Sequence, residues 1–321
     1  MELRLALVGD TMLGRGVAAR LRSAPLSSLF GPALLEAVHE ADLVVFNLEC
    51  CISTRGERWA DPFKPFFFRA PPAAVDALSL LGVDCVTLAN NHALDYGPDA
   101  LLDTLAHLGA AAIEAVGAGA DEAAARRPTV VAARSGFRLA VVGVTDHPVD
   151  YAAGPARPGV AHADLRSGVP SWLREAVAGC EADAVLVTPH WGPNMVTSPK
   201  PYVRAAAAEL LAAGATLVAG HSAHVFHGVE GRVLYDLGDF LDDYRVDPVL
   251  RNDLGILVLV TLDERGPRRL EALPLALGYC RTELAAGADA DWVERRFRAA
   301  AGAFGTEVES DDGRLAVSLR P

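Results

Sequence analysis

Apolar residues gather in short runs along the first two thirds of the chain, and several of these runs lead into a carboxylate, amide or imidazole side chain. LRLALVGD ends at Asp10 and LVVFNLE at Glu49; CVTLA leads into Asn91 and His92, AVLVTP into His190, and TLVAG into His221 and His224. Short apolar runs bounded by turn-forming residues read as buried strands. Amphipathic stretches between them predict helices over 14–22, 31–40, 72–81, 98–109, 170–180 and 202–213. Pro72 and Pro98 mark first turns, and Gly82, Gly109 and Gly214 mark stops. This alternation predicts an α/β architecture in which parallel strands deliver their ends to one sheet edge.

The pattern changes after Gly228. HGVEGRVLYDLGDF and GILVLVTLDERGPRRLEALPLAL read as strands joined by tight turns, which predicts a second, largely antiparallel sheet on or beside the first. A helix over about 289–303 and a short strand, RLAVSL, follow. The Pro/Gly/Ala-rich segment 149–170 is expected to be a surface loop near the site. With no internal repeat, the chain is read as one domain, 1–321, with a motif-bearing core at about 3–242 and C-terminal elements over 243–321.

Composition narrows the function classes. Apolar content of 51% against 22% charged residues is that of a folded globular protein. A net charge of -12 argues against a nucleic-acid partner, which needs a basic surface. A small anionic substrate remains compatible, because a metal and a few arginines reverse the sign locally. The cysteines (50, 51, 85, 180 and 280) lack zinc-type spacing and fit a reducing compartment. Cys50 and Cys51 beside Glu49 are expected to be ordinary packing. No basic leader precedes the first strand, and no apolar stretch reaches the roughly 18–20 residues of a membrane span. A cytoplasmic location without membrane contact is therefore expected.

The strand-end residues form a candidate metal set of Asp10, Glu49, Asn91, His190, His221 and His224. Imidazole, carboxylate and amide oxygen together suit one or two divalent ions of the Mn, Fe or Zn type. Paired ions about 3.5–4 Å apart are a common device for phosphate-ester hydrolysis, and a carboxylate such as Glu49 is suited to bridge them. The H-x-x-H pair requires a tight turn, for which Gly220 and Ser222 are suited. His92 stands apart from the ligands as a candidate general acid, with Asp95 expected to orient it and raise its pKa. The alternative is that Asp95 caps the turn before Tyr96–Gly97. Arg15, Arg69 and His147 are candidate substrate contacts. Asp239, Asp242 and Asp243 read as a solvated acidic loop rather than a second cation site.

GDTMLGRG, FNLE, FRAPP, LANNHALDYG, HWG, GHSAH and LYDLGDF, in that order, resemble the CapA family, named for poly-γ-glutamate capsule synthesis. That family resembles the calcineurin-like metallophosphoesterases. The resemblance implies a metallo-dependent phosphatase-like fold, a two-sheet α/β sandwich flanked by helices. It implies metal-binding roles for Asp10, Glu49, Asn91, His190, His221 and His224, with His92 as the acid. Three positions depart from the phosphoesterase pattern. Met12 stands where a metal-binding His is usual, Glu49 where a bridging Asp is usual, and Asp239 where many relatives have Asn. The implied function is a metal-dependent hydrolase of a phosphoester or similar small anionic substrate. Alternatives are amide chemistry on γ-glutamyl compounds or a non-catalytic accessory role in a biosynthetic complex.

Overall fold

The first strand, Glu2–Thr11, sits inside a mixed sheet and sets the frame for the site. A computed structural model of the chain describes residues 1–311 and 313–319. On one side this strand pairs in parallel with Leu43–Leu48, which continues through Cys85–Thr87 to Glu114–Val116. Its other side pairs antiparallel with Leu254–Asp263, followed by Gly266–Gly278 and Arg314–Ser318. A second sheet runs Val229–Glu230, Val233–Leu234, Leu217–Ala219, Ala184–His190, Arg138–Thr145, Thr129–Ala132.

The period-2 alternation of side chains divides the core into layers. Leu3, Leu5, Leu7 and Val45 meet Leu139, Val141, Leu186 and Leu217 between the two sheets. Ala6, Val8, Val44 and Phe46 point the other way, onto helices Arg15–Ser23, Pro32–Val38, Ala74–Leu80 and Gly97–Ala110. Val142, Val144, Val185 and Val187 pack outward onto Ser171–Ala178 and Pro201–Ala212. The result is the two-sheet α/β sandwich flanked by helices that the motifs implied. Each predicted helix forms within a few residues of its expected ends, including the last, Gly287–Gly302.

Two expectations are corrected. The strands after Gly228 do not build their own sheet: Val229–Leu234 joins the second sheet, while Leu254–Gly278 completes the first. The physical reason is the first strand, buried on both faces, whose second edge needs a hydrogen-bonding partner. LGILVLVTLD, almost wholly buried, supplies it from 250 residues away, with Leu3 opposite Leu262 and Leu7 opposite Val258. The 149–170 segment is also more than a surface loop. Gly159–Val160 pairs with Ala118–Gly119, and Tyr151 is buried at 1% exposure. Among the described residues, no helix is long and apolar enough to cross a membrane.

Candidate metal centre and its pocket

Parallel pairing brings Asp10, at the end of the first strand, beside the Leu43–Leu48 strand, so that Glu49 emerges next to it. Asn47 ties the two together: its Nδ2 donates to Asp10 Oδ1 at 2.9 Å and to Glu49 Oε1 at 3.4 Å. Asn90 braces Asn47 in turn, donating to its Oδ1 at 2.8 Å and to the Leu48 carbonyl at 2.9 Å. From the second sheet, His190 Nε2 lies 2.9 Å from Glu49 Oε1, and His221 Nδ1 lies 3.0 Å from Asp10 Oδ1. Both sheets therefore contribute to one cluster.

The H-x-x-H pair does turn tightly. Ser222 (φ 110°) and His224 (φ 59°) both occupy the left-handed region that non-glycine residues avoid. Such strain persists only when surroundings hold it. Here Ala223 N donates to Asp236 Oδ2 at 2.8 Å, Ser222 N to Asp10 Oδ2 at 3.3 Å, and Ser222 Oγ to the Gly192 carbonyl at 3.0 Å. His224 Nδ1 is thereby placed 2.8 Å from Asp239 Oδ1 and 3.5 Å from Asp10 Oδ2.

Two groups emerge in which every ligand atom lies within 4.8 Å of the others: Asp10, Glu49 and His190; and Asp10, His224 and Asp239. The carboxylate common to both is Asp10 rather than Glu49. The His190–Glu49 nitrogen–oxygen separation of 2.9 Å is close to the roughly 3 Å expected between adjacent ligands whose metal bonds are about 2.0–2.2 Å, whereas the predicted ligand His221 belongs to neither group. Glu49 Oε2, His190 Nδ1, Asp239 Oδ2 and Asn91 Oδ1 are buried with no hydrogen-bond partner among the described residues. Buried polar atoms are rarely left so, and a divalent cation would satisfy them. The residues present fit a metal.

Electrostatics agree with such a load of buried charge. Burial, then the neighbouring Asp10 charge, pushes Glu49 well above the usual carboxylate range. Burial also raises Asp10, but the His221 hydrogen bond and the nearby imidazoles outweigh it and hold Asp10 low. Burial pushes Asp239 up to about 6. His190 is held well below the usual imidazole value by burial and then by the adjacent His147 charge.

His92 stands at the edge of this cluster, with Nδ1 2.7 Å from Asp95 Oδ2 and its ring 4.1 Å from that of Phe68. Asp95 is a hub, not a turn cap. Its Oδ2 also accepts from Phe68 N at 2.6 Å, and its Oδ1 receives Tyr151 Oη at 3.1 Å and Lys64 Nζ at 3.0 Å. The expected rise of the His92 pKa is not found. Burial is the largest influence and outweighs Asp95, so the imidazole lies below its ordinary value.

A pocket of about 300 Å³ opens beside His92 and His224, walled by Phe66, Phe68 and Tyr244. Arg15 enters it, paired with Asp243 at 2.7 Å and with its guanidinium 5.5–5.7 Å from all three aromatic rings. Arg69 is not brought there. Its strand runs beside Cys51–Ile52, and its guanidinium donates to the Arg55 and Gly56 carbonyls while stacking on Tyr96 at 4.1 Å. His147 pairs with Asp146 and packs on His190, ring centres 4.9 Å apart. It therefore adjoins the ligand group rather than the pocket. All five cysteines are unpaired, and burial pushes Cys51 up to about 12, which leaves an inert thiol beside the site.

Sequence reasoning missed several participants. Asp239 is not solvated but 1% exposed within the cluster. Asn47, Asn90, Lys64, Tyr151 and Asp236 carry no spacing signal of their own. Asn47 and Asn90 do lie within the motifs FNLE and LANNH, and Asn47 is a polar residue inside an otherwise apolar strand.

Fold and cluster together define a class: an α/β sandwich whose two sheets converge carboxylates and imidazoles on a candidate divalent-cation centre beside an aromatic-walled pocket. Comparison with known proteins gives the family. It belongs to the family described as bacterial capsule synthesis protein PGA_cap, whose model matches residues 4–244. It is 35% identical over 287 residues to a probable polyglutamine synthesis accessory protein of Mycobacterium tuberculosis (strain H37Rv), covering 83% of this chain and 74% of the relative. It is 30% identical to the PGA biosynthesis protein CapA of Bacillus subtilis, covering 85% and 71%. To the capsule biosynthesis protein CapA of Bacillus anthracis it is 28% identical, covering 85% and 67%.

Proposed function

We propose that the chain is a metal-dependent hydrolase that cleaves a phosphoester or similar small anionic substrate. The observation that carries this reading is the pair of ligand groups sharing Asp10, set beside a pocket that both His92 and Arg15 enter. Asp10, Glu49, Asn91, His190, His221 and His224 would hold one or two ions of the Mn, Fe or Zn type. When bound, such ions lower the pKa of water and clamp the oxygens of an in-line displacement.

The chain's own groups do the rest. With Nδ1 committed to Asp95, His92 presents Nε2 as the atom that hands a proton to the leaving group. Burial lowers its pKa, so at neutral pH most of these imidazoles carry no proton on Nε2 and the acid is the minority cationic form. Arg15, its plane held by Asp243 and the aromatic walls, meets the substrate anion. Phe66, Phe68 and Tyr244 limit water around the reacting centre. A cytoplasmic setting and the absence of nucleic-acid and membrane partners belong to the same reading, supported by the unpaired thiols and the net charge of -12.

The test is elemental analysis of wild type beside His224→Ala, followed by a phosphoester screen with the metal found. Wild type should carry metal that the variant loses, and should turn over at least one phosphoester. Metal-loaded protein with no turnover on phosphoesters would end this reading. The names of the relatives, polyglutamine synthesis and PGA biosynthesis, favour a second one. In it the same centre acts on amide bonds of a γ-glutamyl, carboxylate-rich peptide, or serves a ligase without turnover of its own. Release of glutamate from γ-glutamyl peptides would select the first of these, and co-purification with a ligase the second.

A further inference from the structure

We infer that Asp239 is itself a metal ligand and completes the group begun by Asp10 and His224. This rests on the metal-dependent reading above and extends it to a residue outside the implied ligand set. Met12 is 1% exposed, and its sulfur accepts from Gly14 N at 3.0 Å, so it is committed to the local turn. Met12 therefore offers no free donor to the centre. The neighbouring strand Asp239–Leu241 pairs with the first in parallel register, Asp10 opposite Asp239. Residues paired in this way project side chains to the same face.

Asp239 consequently points where Asp10 points. Its Oδ1 lies 2.8 Å from His224 Nδ1, and its Oδ2 is buried with no partner among the described residues. A buried carboxylate with one oxygen left over has the form of a ligand. The group Asp10, His224 and Asp239 then offers two carboxylates and one imidazole, as does Asp10, Glu49 and His190. Oxygen-rich sets of this kind favour Mn(II) over softer ions.

The competing role is that Asp239 only orients His224 as a hydrogen-bond partner. The two differ in stoichiometry, so the probe is Mn²⁺ itself, titrated into metal-stripped full-length protein by calorimetry and followed by electron paramagnetic resonance. Wild type should bind two Mn²⁺ with a spin-coupled signal. Asp239→Leu, close in shape and without a donor oxygen, and Asp239→Ser should each bind one, uncoupled, with the second weakened more than 100-fold. Two ions still bound in both variants, with affinity down only about 10–100-fold, would mark an orienting partner and overturn the inference. Unchanged binding would overturn it as well. Metal-free far-ultraviolet circular dichroism of both variants should match wild type, so that a lost ion is not a lost fold. If wild type binds no Mn²⁺, Fe²⁺ or Zn²⁺ at all, it is the metal-dependent reading that falls, a result distinguishable from loss in the Asp239 variants alone.

Discussion

At the scale of single residues, His92 and its support separate chemistry from metal holding. Replacing His92 by Gln should lower kcat by about 10²–10⁴ while bound metal, measured by elemental analysis, stays at the wild-type level. A parallel loss of metal would reassign His92 as a ligand. Asp95→Asn should do more than misorient the ring, because Lys64 would be left buried without its counter-charge, at 12% side-chain exposure. Breaking such a pair costs about 3–5 kcal/mol, readable as a lower urea midpoint. The two arginines make a sharper contrast. Arg15→Ala should raise KM several-fold, whereas Arg69→Ala should leave it within about two-fold, since Arg69 is committed to the 55–56 backbone. The sequence offered both as equals. A guanidinium's partners depend on which way its strand faces, and that is not written in its neighbours.

At the scale of elements, the metal centre depends on how closely two strands approach. A Cβ added at Gly9 would lie 1.9 Å from the Gly238 carbonyl oxygen, so Gly9→Ala must push the Asp239–Leu241 strand away from the first. The expected outcome is a destabilisation of about 1–3 kcal/mol or more in urea. Mn²⁺ binding should also be lost, because Asp10 and Asp239 no longer share a face. Unchanged Mn²⁺ affinity would show that the strand pairing does not build the centre. Helices were readable at this scale, because amphipathic period and Pro/Gly punctuation are local signals. The Leu254–Gly278 strands were readable as strands but not in their pairing. Nothing local says that LGILVLVTLD completes the edge of the first strand. Nor did the GHSAH spacing show that Asp236 holds its strained turn.

At the scale of the whole molecule, the candidate ligands bridge two sheets: Asp10, Glu49 and Asp239 come from one, His190, His221 and His224 from the other or its loops. Metal binding should therefore pin the sandwich. At a thousand-fold excess over Kd, linkage contributes about 4 kcal/mol, or roughly 5–10 °C in Tm, abolished by a chelator. A second, metal-free pH effect comes from His227, 5% exposed with Nε2 on the Val196 carbonyl at 2.8 Å. Burial lowers it from 6.5 to about 4. Above 6.5 both folded and unfolded states are neutral there. Between 6.5 and about 4 the unfolded chain takes a proton that the folded one refuses, so stability falls as pH drops. That single group accounts for up to about 3 kcal/mol. With chelator present, His227→Gln should flatten the decline of the urea midpoint between pH 7 and 4.5; an equal slope in both proteins would exclude His227 as its source.

The sequence by itself determined the α/β alternation, the helix limits, the family motifs and the strand-end residues from which the candidate centre is built. All of these rest on local periodicity or short spacing. Only the tertiary structure decided that Asp10 is the carboxylate common to both ligand groups, that Asp239 joins them, that Arg69 turns away, and that Lys64 and Tyr151 converge on Asp95. Those are facts about which strands pair and which faces they share. Such choices are settled by burial and by satisfying backbone hydrogen bonds across hundreds of residues, where no local pattern reaches.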